Sequence, residues 1–411
     1  MKPTASDSLV VNGRSYAVPT TPAVVITIDG GDPSYFADAF SRGIMPNLEQ
    51  MTKSGCYGMG SSEVPSLTNP NNMSIVTGVP PAIHGIPGNF HLTDDGQFEL
   101  LNDPAYLRCE SIHAAFVSEG YKVAAVTTKD KLRQLLAKGN VPTASVEKAS
   151  ELGIPEFAIE NVEGWMGETA PGVYEPFASH YCMRMGLKML KENPDLKLLY
   201  VTLTDRVQHA SAPGGEMSDA FLIEFDRILG QYLELDIRLG ITADHGMNSK
   251  HDEESPARIV YIKEVLQDAG VEFQEVVLPI TDPYPKHHGA LGSFAWIYLP
   301  ESQRELARQT LHATAGVEEV WFKEEAAIAF SQPVDRIGDI AVTGASDTAL
   351  GTRAEDHDLS QLHGPLRSHG GRHEQTIPLM VNFPLTGFRA QSHAQGILRN
   401  RDIHDLVLNG K

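Results

Sequence analysis

The stretch "LYVTLTDRVQHA", residues 199–210, is an apolar, β-branched run that stops at Asp205, with His209 four residues further on. Two other stretches end in the same way. "AVVITIDGGD" at 23–32 closes its apolar run on Asp29, and "LGITADHGM" at 239–247 closes on Asp244 and His245. Short continuous runs of Val, Ile, Leu and Thr read as strands buried on both faces, as parallel strands are. In an open parallel sheet the ligand site lies beyond the carboxyl ends of the strands, so three aspartates at such ends can converge without being neighbours in sequence.

Further runs of this kind are "KVAAVTT" at 122–128, "SFAWIYL" at 293–299 and "IPLMVNF" at 377–383. Longer segments with apolar residues at three-and-four spacing lie between many of them, as in "MSDAFLIEFDRILGQYLE" and "YCMRMGLKMLKEN". The alternation predicts an α/β fold: a doubly wound, mostly parallel sheet sandwiched by helices. From about Asn248 to Arg367 short strands and helices are mixed differently. That change divides the chain into a core of 1–247 and 368–411 and a smaller inserted α+β cap of 248–367; the alternative is that the main sheet simply continues.

The chain of 411 residues is 41% apolar and 21% charged, which suits a folded protein with a large core. Lys plus Arg number 33 against 53 Asp plus Glu, a formal charge of -20. That balance excludes a general binder of nucleic acid or anionic membrane, and an anionic substrate would need a locally positive site. Cys56, Cys109 and Cys182 have no metal-site or redox spacing and read as reduced thiols. The opening residues lack signal-peptide organisation, and no apolar run reaches the roughly 18 residues of a membrane span. The expected location is the cytoplasm, with no nucleic-acid or membrane partner; a homo-oligomer is compatible with all of this.

A lone aspartate at a strand end is an ordinary helix N-cap. Three of them, two paired with histidine, form instead an O/N ligand set suited to Zn²⁺, with Mn²⁺ or Fe as weaker matches. Asp29, Asp205, His209, Asp244 and His245 are five candidate ligands, and "SHGGRHEQTIPLM" at 368–380 offers a further candidate, His373, favoured by the family likeness described below and not by spacing alone. His357, His363 and His369 read as surface or supporting histidines. In "VPSLTNPNNMSIVTGVPPAIHGIPGN" at 64–89, Thr68 opens a helical run. It is either a helix cap or a hydroxyl activated by a metal at the positive end of the helix dipole. Lys129 and Lys131 in "TTKDKL" stand where a helix begins, a poor place for cations unless an anion compensates; two solvated lysines are the other reading. "YPKHHG" at 284–289 leaves open whether Lys286, His287 and His288 close over a ligand or form a plain surface loop.

These residues resemble the alkaline phosphatase superfamily in its nucleotide pyrophosphatase/phosphodiesterase branch. The likeness rests on "TNPNN" and "TGVPPAIHGI", on "TLTDRVQH", on "ADHGM" and on the histidine of "GGRH", and it covers about 23–385 apart from the cap. It implies two Zn²⁺ per chain: Asp205, His209 and His373 on one, Asp29, Thr68, Asp244 and His245 on the other. It implies Thr68 as nucleophile and Asn89 as donor to a nonbridging phosphorus oxygen. "TTKDKL" is similar to the segment in which some branch members meet a substrate carboxylate with two lysines. The implied activity is therefore cleavage of the carbon–phosphorus bond of phosphonoacetate to acetate and phosphate, with Thr68, Asn89, Lys129, Lys131, His209 and His373 touching substrate. The rivals are a phosphodiesterase or nucleotide pyrophosphatase on the same framework, a mutase, and a non-catalytic zinc-binding module.

Overall fold

The computed structural model describes residues 8–410 apart from 173–174, 254, 282–287, 361 and 363, and apart from the side chain of His288. Lys286, His287, the side chain of His288 and His363 therefore lie outside the described residues. A seven-stranded sheet runs in the order Cys56–Ser61, Thr376–Val381, Arg238–Thr242, Ala23–Thr27, Leu198–Thr202, Val123–Thr127, Thr143–Ser145. The last five are mutually parallel; Thr376–Val381 runs antiparallel to them, and Cys56–Ser61, antiparallel to that strand in turn, closes this side of the sheet in the common direction. The expectation of a mostly parallel sheet flanked by helices is met.

Alternation along each strand sends neighbouring residues to opposite faces. Val24 and Ile26 enter one apolar cluster with Leu199, Val201, Leu239 and Ile241, while Ala23 and Val25 enter another with Leu198 and Tyr200. The helices Ala178–Glu192 and Glu216–Leu233 cover the first face. Within Glu216–Leu233 the buried residues Phe221, Leu222, Phe225, Ile228, Leu229 and Tyr232 recur at helical spacing. Burying each such side chain fully is worth about 1.5–3 kcal/mol. Helices Thr68–Thr77, Ile112–Ser118, Asp130–Leu136 and Ile403–Asn409 cover the other face.

Between Asn248 and Arg367 lies a separate antiparallel sheet in the order Glu275–Val277, Phe294–Tyr298, Ile340–Gly344, Val317–Phe322, with its own apolar cluster around Ile297, Leu311 and Val342. "SFAWIYL" thus belongs here and not to the main sheet. At the start of the chain, Ser8–Val11 and Arg14–Ala17 form a hairpin. Its turn residues Asn12 and Gly13 have φ of 50° and 82°, the left-handed pair that an Asn-Gly turn supplies. Among the described residues no helix is long and apolar enough to cross a membrane.

Candidate active site at the strand ends

Register builds the site. Thr127, Thr202, Thr27 and Thr242 lie side by side in one row across four parallel strands. Lys129, Asp29 and Asp244 follow their threonines by two residues and Asp205 follows by three, so all four reach the same edge of the sheet. Asp29, Asp244 and His245 are fully buried, and Asp205 nearly so.

Asp205, His209 and His369 can hold one metal ion, and Asp29, Asp205 and His245 a second, with Asp205 common to both groups. Asp244 sits beside them, its Oδ2 3.7 Å from His245 Nε2. Its carboxylate is held by Gly30 N at 3.3 Å, its own neighbour His245 N at 3.0 Å, and Asn72 Nδ2 at 3.1 Å. Thr68 is the first residue of its helix, with Leu67 at the cap position and no capping by a side chain. Its Oγ1 is 3.4 Å from both Asp29 Oδ1 and His245 Nε2. The bland role of helix cap therefore falls away.

His373, expected among the ligands, is not in this group. Its Nε2 meets Glu318 Oε2 at 2.8 Å on a half-exposed surface. The chain turns at Gly370, whose φ of 119° suits glycine alone, and the turn sends His369 inward while Arg372 and His373 go out to Glu319 and Glu318. His369 had been read as a supporting histidine. The "HG" it shares with "ADHGM" recurs at His84 and His363 and does not single it out, so no local signal marks His369.

The imidazoles fit a metal in their tautomers. His209 Nδ1 donates to Arg367 O at 2.8 Å, His245 Nδ1 to Gly246 O at 2.9 Å and His369 Nδ1 to Ser66 O at 2.7 Å. Carbonyls only accept, so each neutral ring turns its Nε2 lone pair toward the carboxylates. His209 Nε2 lies 3.0 Å from Asp205 Oδ2 and His245 Nε2 lies 3.2 Å from Asp29 Oδ1. A lone pair facing a carboxylate at that range needs a proton or a cation nearby.

Lys129 supplies part of that charge. Its Nζ donates to Asp29 Oδ2 at 2.9 Å and Asp205 Oδ1 at 3.2 Å. Burial works against the ammonium, but Asp205 and Asp29 outweigh it and keep its pKa above the usual lysine value. Burial likewise pushes Asp205 up, yet Lys129 and His209 hold it well below the ordinary carboxylate range. Asp29 is also lowered, Lys129 and His245 prevailing over burial and Asp205. Asp244 goes the other way, raised well above its usual value by burial and then by Asp29. Burial opposes charge on His245, but Asp244 and Asp29 raise it to about 9. His369, stacked on His245 with ring centres 3.6 Å apart, is pushed down to about 4 by burial and then by His245. Three buried carboxylates sharing so few cations make a site that a divalent ion would complete.

Lys131, on the first turn of Asp130–Leu136, is exposed. Asn89 is half-buried at the start of a small hairpin. It donates through Nδ2 to Ile280 O at 2.8 Å and through its backbone N–H to Pro279 O, while its Oδ1 is buried without a partner among the described residues.

The sequence profile of the type I phosphodiesterase / nucleotide pyrophosphatase family matches residues 23–372. The chain belongs to that family, on the alkaline phosphatase-like fold. Among solved structures, phosphonoacetate hydrolase from Sinorhizobium meliloti 1021 in complex with phosphonoacetate is similar at 40% identity and a TM-score of 0.92, covering 99% of this chain and 100% of that one. The same enzyme in complex with phosphonoformate matches at 39% identity and 0.91 over the same shares. Human ectonucleotide pyrophosphatase / phosphodiesterase 5 aligns at 15% identity with a TM-score of 0.63 over 95% of each chain, which is a likeness of fold.

Proposed function

We propose that this chain is a di-zinc hydrolase that cleaves the carbon–phosphorus bond of phosphonoacetate, giving acetate and phosphate. The observation that carries the reading is its full-length likeness, at 39–40% identity, to the two Sinorhizobium structures holding phosphonoformate and phosphonoacetate. Asp205, His209 and His369 would hold one Zn²⁺; Asp29, Thr68, Asp244 and His245 the other. Bound there, the two ions would neutralise phosphonate oxygens and favour the ionised threonine.

Thr68 Oγ1 attacks phosphorus in line with the P–C bond. Its proton has Asp29 Oδ1 and His245 Nε2 as neighbours, each at 3.4 Å. As the P–C bond breaks, its electron pair moves to the methylene carbon and spreads into the carboxylate as an enolate. Lys129 and Lys131 meet that carboxylate and stabilise the growing charge, and Asn89 donates to a nonbridging phosphorus oxygen. The carbon takes up, by way of solvent, the proton the threonine lost and leaves as acetate. One water then splits the phospho-threonine and restores Thr68. The inserted sheet within 248–367 acts as the cap over this edge, and the unpaired Cys56, Cys109 and Cys182 suit a cytoplasmic enzyme.

The test is to load the purified protein with zinc and offer it phosphonoacetate and, separately, a nitrophenyl phosphodiester, following phosphate and nitrophenol release. Turnover of the phosphonate is expected, and turnover of the diester alone would make the chain a phosphodiesterase. Replacing Lys129 or Lys131 by Met should lower kcat as well as raise KM for phosphonoacetate. The expected loss in kcat/KM is about 10²–10³, with side hydrolysis of the diester barely changed. Equal losses on both substrates would show the lysines supporting the metal site and not the enolate.

A further inference from the structure

We propose that the buried ion pair Lys250–Glu374 is a positioning device that sets His369 for the metal; this rests on the reading of His369 as a ligand. Neither side chain touches solvent, and neither has a part in the chemistry above. Lys250 Nζ donates to Glu374 Oε1 at 2.7 Å and to Ser346 O at 2.8 Å. Glu374 Oε1 also accepts from Asn248 Nδ2 at 2.9 Å, and Oε2 accepts from the backbone N–H of Gly371 at 2.9 Å. The main-chain oxygen of Glu374 accepts from Gly246 N at 2.7 Å. One residue thus ties the loop after His369 to the loop after His245, and Lys250 ties both to the inserted segment.

The rest of the His369 loop is held by Ser66, two residues before Thr68. Ser66 O accepts from His369 Nδ1, Ser66 N donates to Gly370 O at 3.0 Å, and Ser66 Oγ donates to Gly371 O at 2.7 Å. That leaves the Gly371 N–H, which only Glu374 satisfies. A turn containing two successive glycines has little stiffness of its own, so the acceptor on Gly371 decides where the loop rests. A buried ion pair is a poor means of gaining stability, since apolar residues of similar volume often serve as well or better. What Glu374 offers that a leucine cannot is an acceptor at a set point in the interior. Such supporting groups shift metal affinity about 10–100-fold.

Two uncharged double variants separate placement from stability. K250M/E374Q keeps an amide oxygen for the Gly371 N–H, whereas K250M/E374L keeps none. Zinc affinity, measured by competition with a chromophoric chelator, should stay within about threefold of wild type in the first and fall about 10–100-fold in the second. The first variant should melt near the wild-type temperature and the second, with the Gly371 N–H left without an acceptor, a few degrees lower, while both stay folded under the conditions of the zinc titration. Equal affinity in the two would overturn the proposal. H369A tells its failure from that of the ligand reading: zinc binding unchanged in H369A sinks the assignment of His369 and this proposal with it, whereas zinc binding lost in H369A but kept in K250M/E374L sinks the pair's role alone. If the leucine variant does not fold, hydrogen exchange of metal-free wild type decides. The Gly371 amide should already be protected before zinc is added, and free exchange until zinc arrives would overturn the proposal.

Discussion

The edge of the parallel sheet and the antiparallel sheet between residues 248 and 367 set their charged residues in opposite surroundings. Within residues 248–367, Arg304 meets Glu301 and Glu324, and Arg308 meets Glu325, with the glutamates 42–86% exposed. Water reaches the carboxylates of these pairs, although the Arg304 side chain is only 12% exposed, and the apolar cluster beneath them carries the stability. At the parallel edge, Asp29, Asp205, Asp244 and His245, buried or nearly so, are crowded together with Lys129, whose side chain is 33% exposed. There burial and the charge of Asp29 push Asp244 up, while Lys129 and His209 bring its neighbour Asp205 down against its own burial. Charge placed where water cannot answer it is poised for a metal or a substrate, and charge at the surface is not.

The largest effect should come from Thr68→Ala. It should lower phosphonoacetate turnover by roughly 10⁴-fold or more while zinc content, read by metal analysis, stays near two per chain. A variant that keeps its activity would return Thr68 to a structural role. Next, His369→Ala should weaken zinc binding by roughly 100-fold or more, whereas His373→Ala at the Glu318 surface should leave it within about twofold. The opposite ranking, measured by chelator competition, would reverse the inward and outward assignment of these two histidines.

The acid limit of the metal-free protein should also be set by the core. Burial pushes His404 down to about 4 and His84 to about 3, against roughly 6.5 in the unfolded chain. The native state thus resists a proton the unfolded state accepts. The stability from each neutral ring is complete above about pH 6.5 and is lost as pH falls toward the folded value, by up to ~1.4 kcal/mol per unit. Melting followed against pH should drop over 6.5 to 4, and His404→Gln should flatten the slope; an unchanged slope would exclude His404 as a source. Smallest of all, Arg308→Met, at the more exposed pair with Glu325, should change the stability of this segment by less than about 1 kcal/mol in a denaturant titration. A larger loss would mean that this surface is not the screened one described.

Asp29, Asp205, Asp244 and Lys129 were legible because strand pattern is local. An apolar run, its pleat and its end are written in consecutive residues, and parallel register then brings those ends level. The α/β fold is written in the same local periods, and the Asn12-Gly13 turn of the opening hairpin is a local signal too. Only the tertiary structure decided between His369 and His373, which share one glycine-rich turn. The direction each takes depends on Ser66, Glu318 and Glu374, and nothing in the spacing of "SHGGRH" records where those groups lie. The same holds for Lys250 and Glu374, 124 residues apart, which in sequence are indistinguishable from solvated surface charges. Strand ends follow from the chain's own period, whereas partners across long sequence distances exist only once the chain has closed on itself.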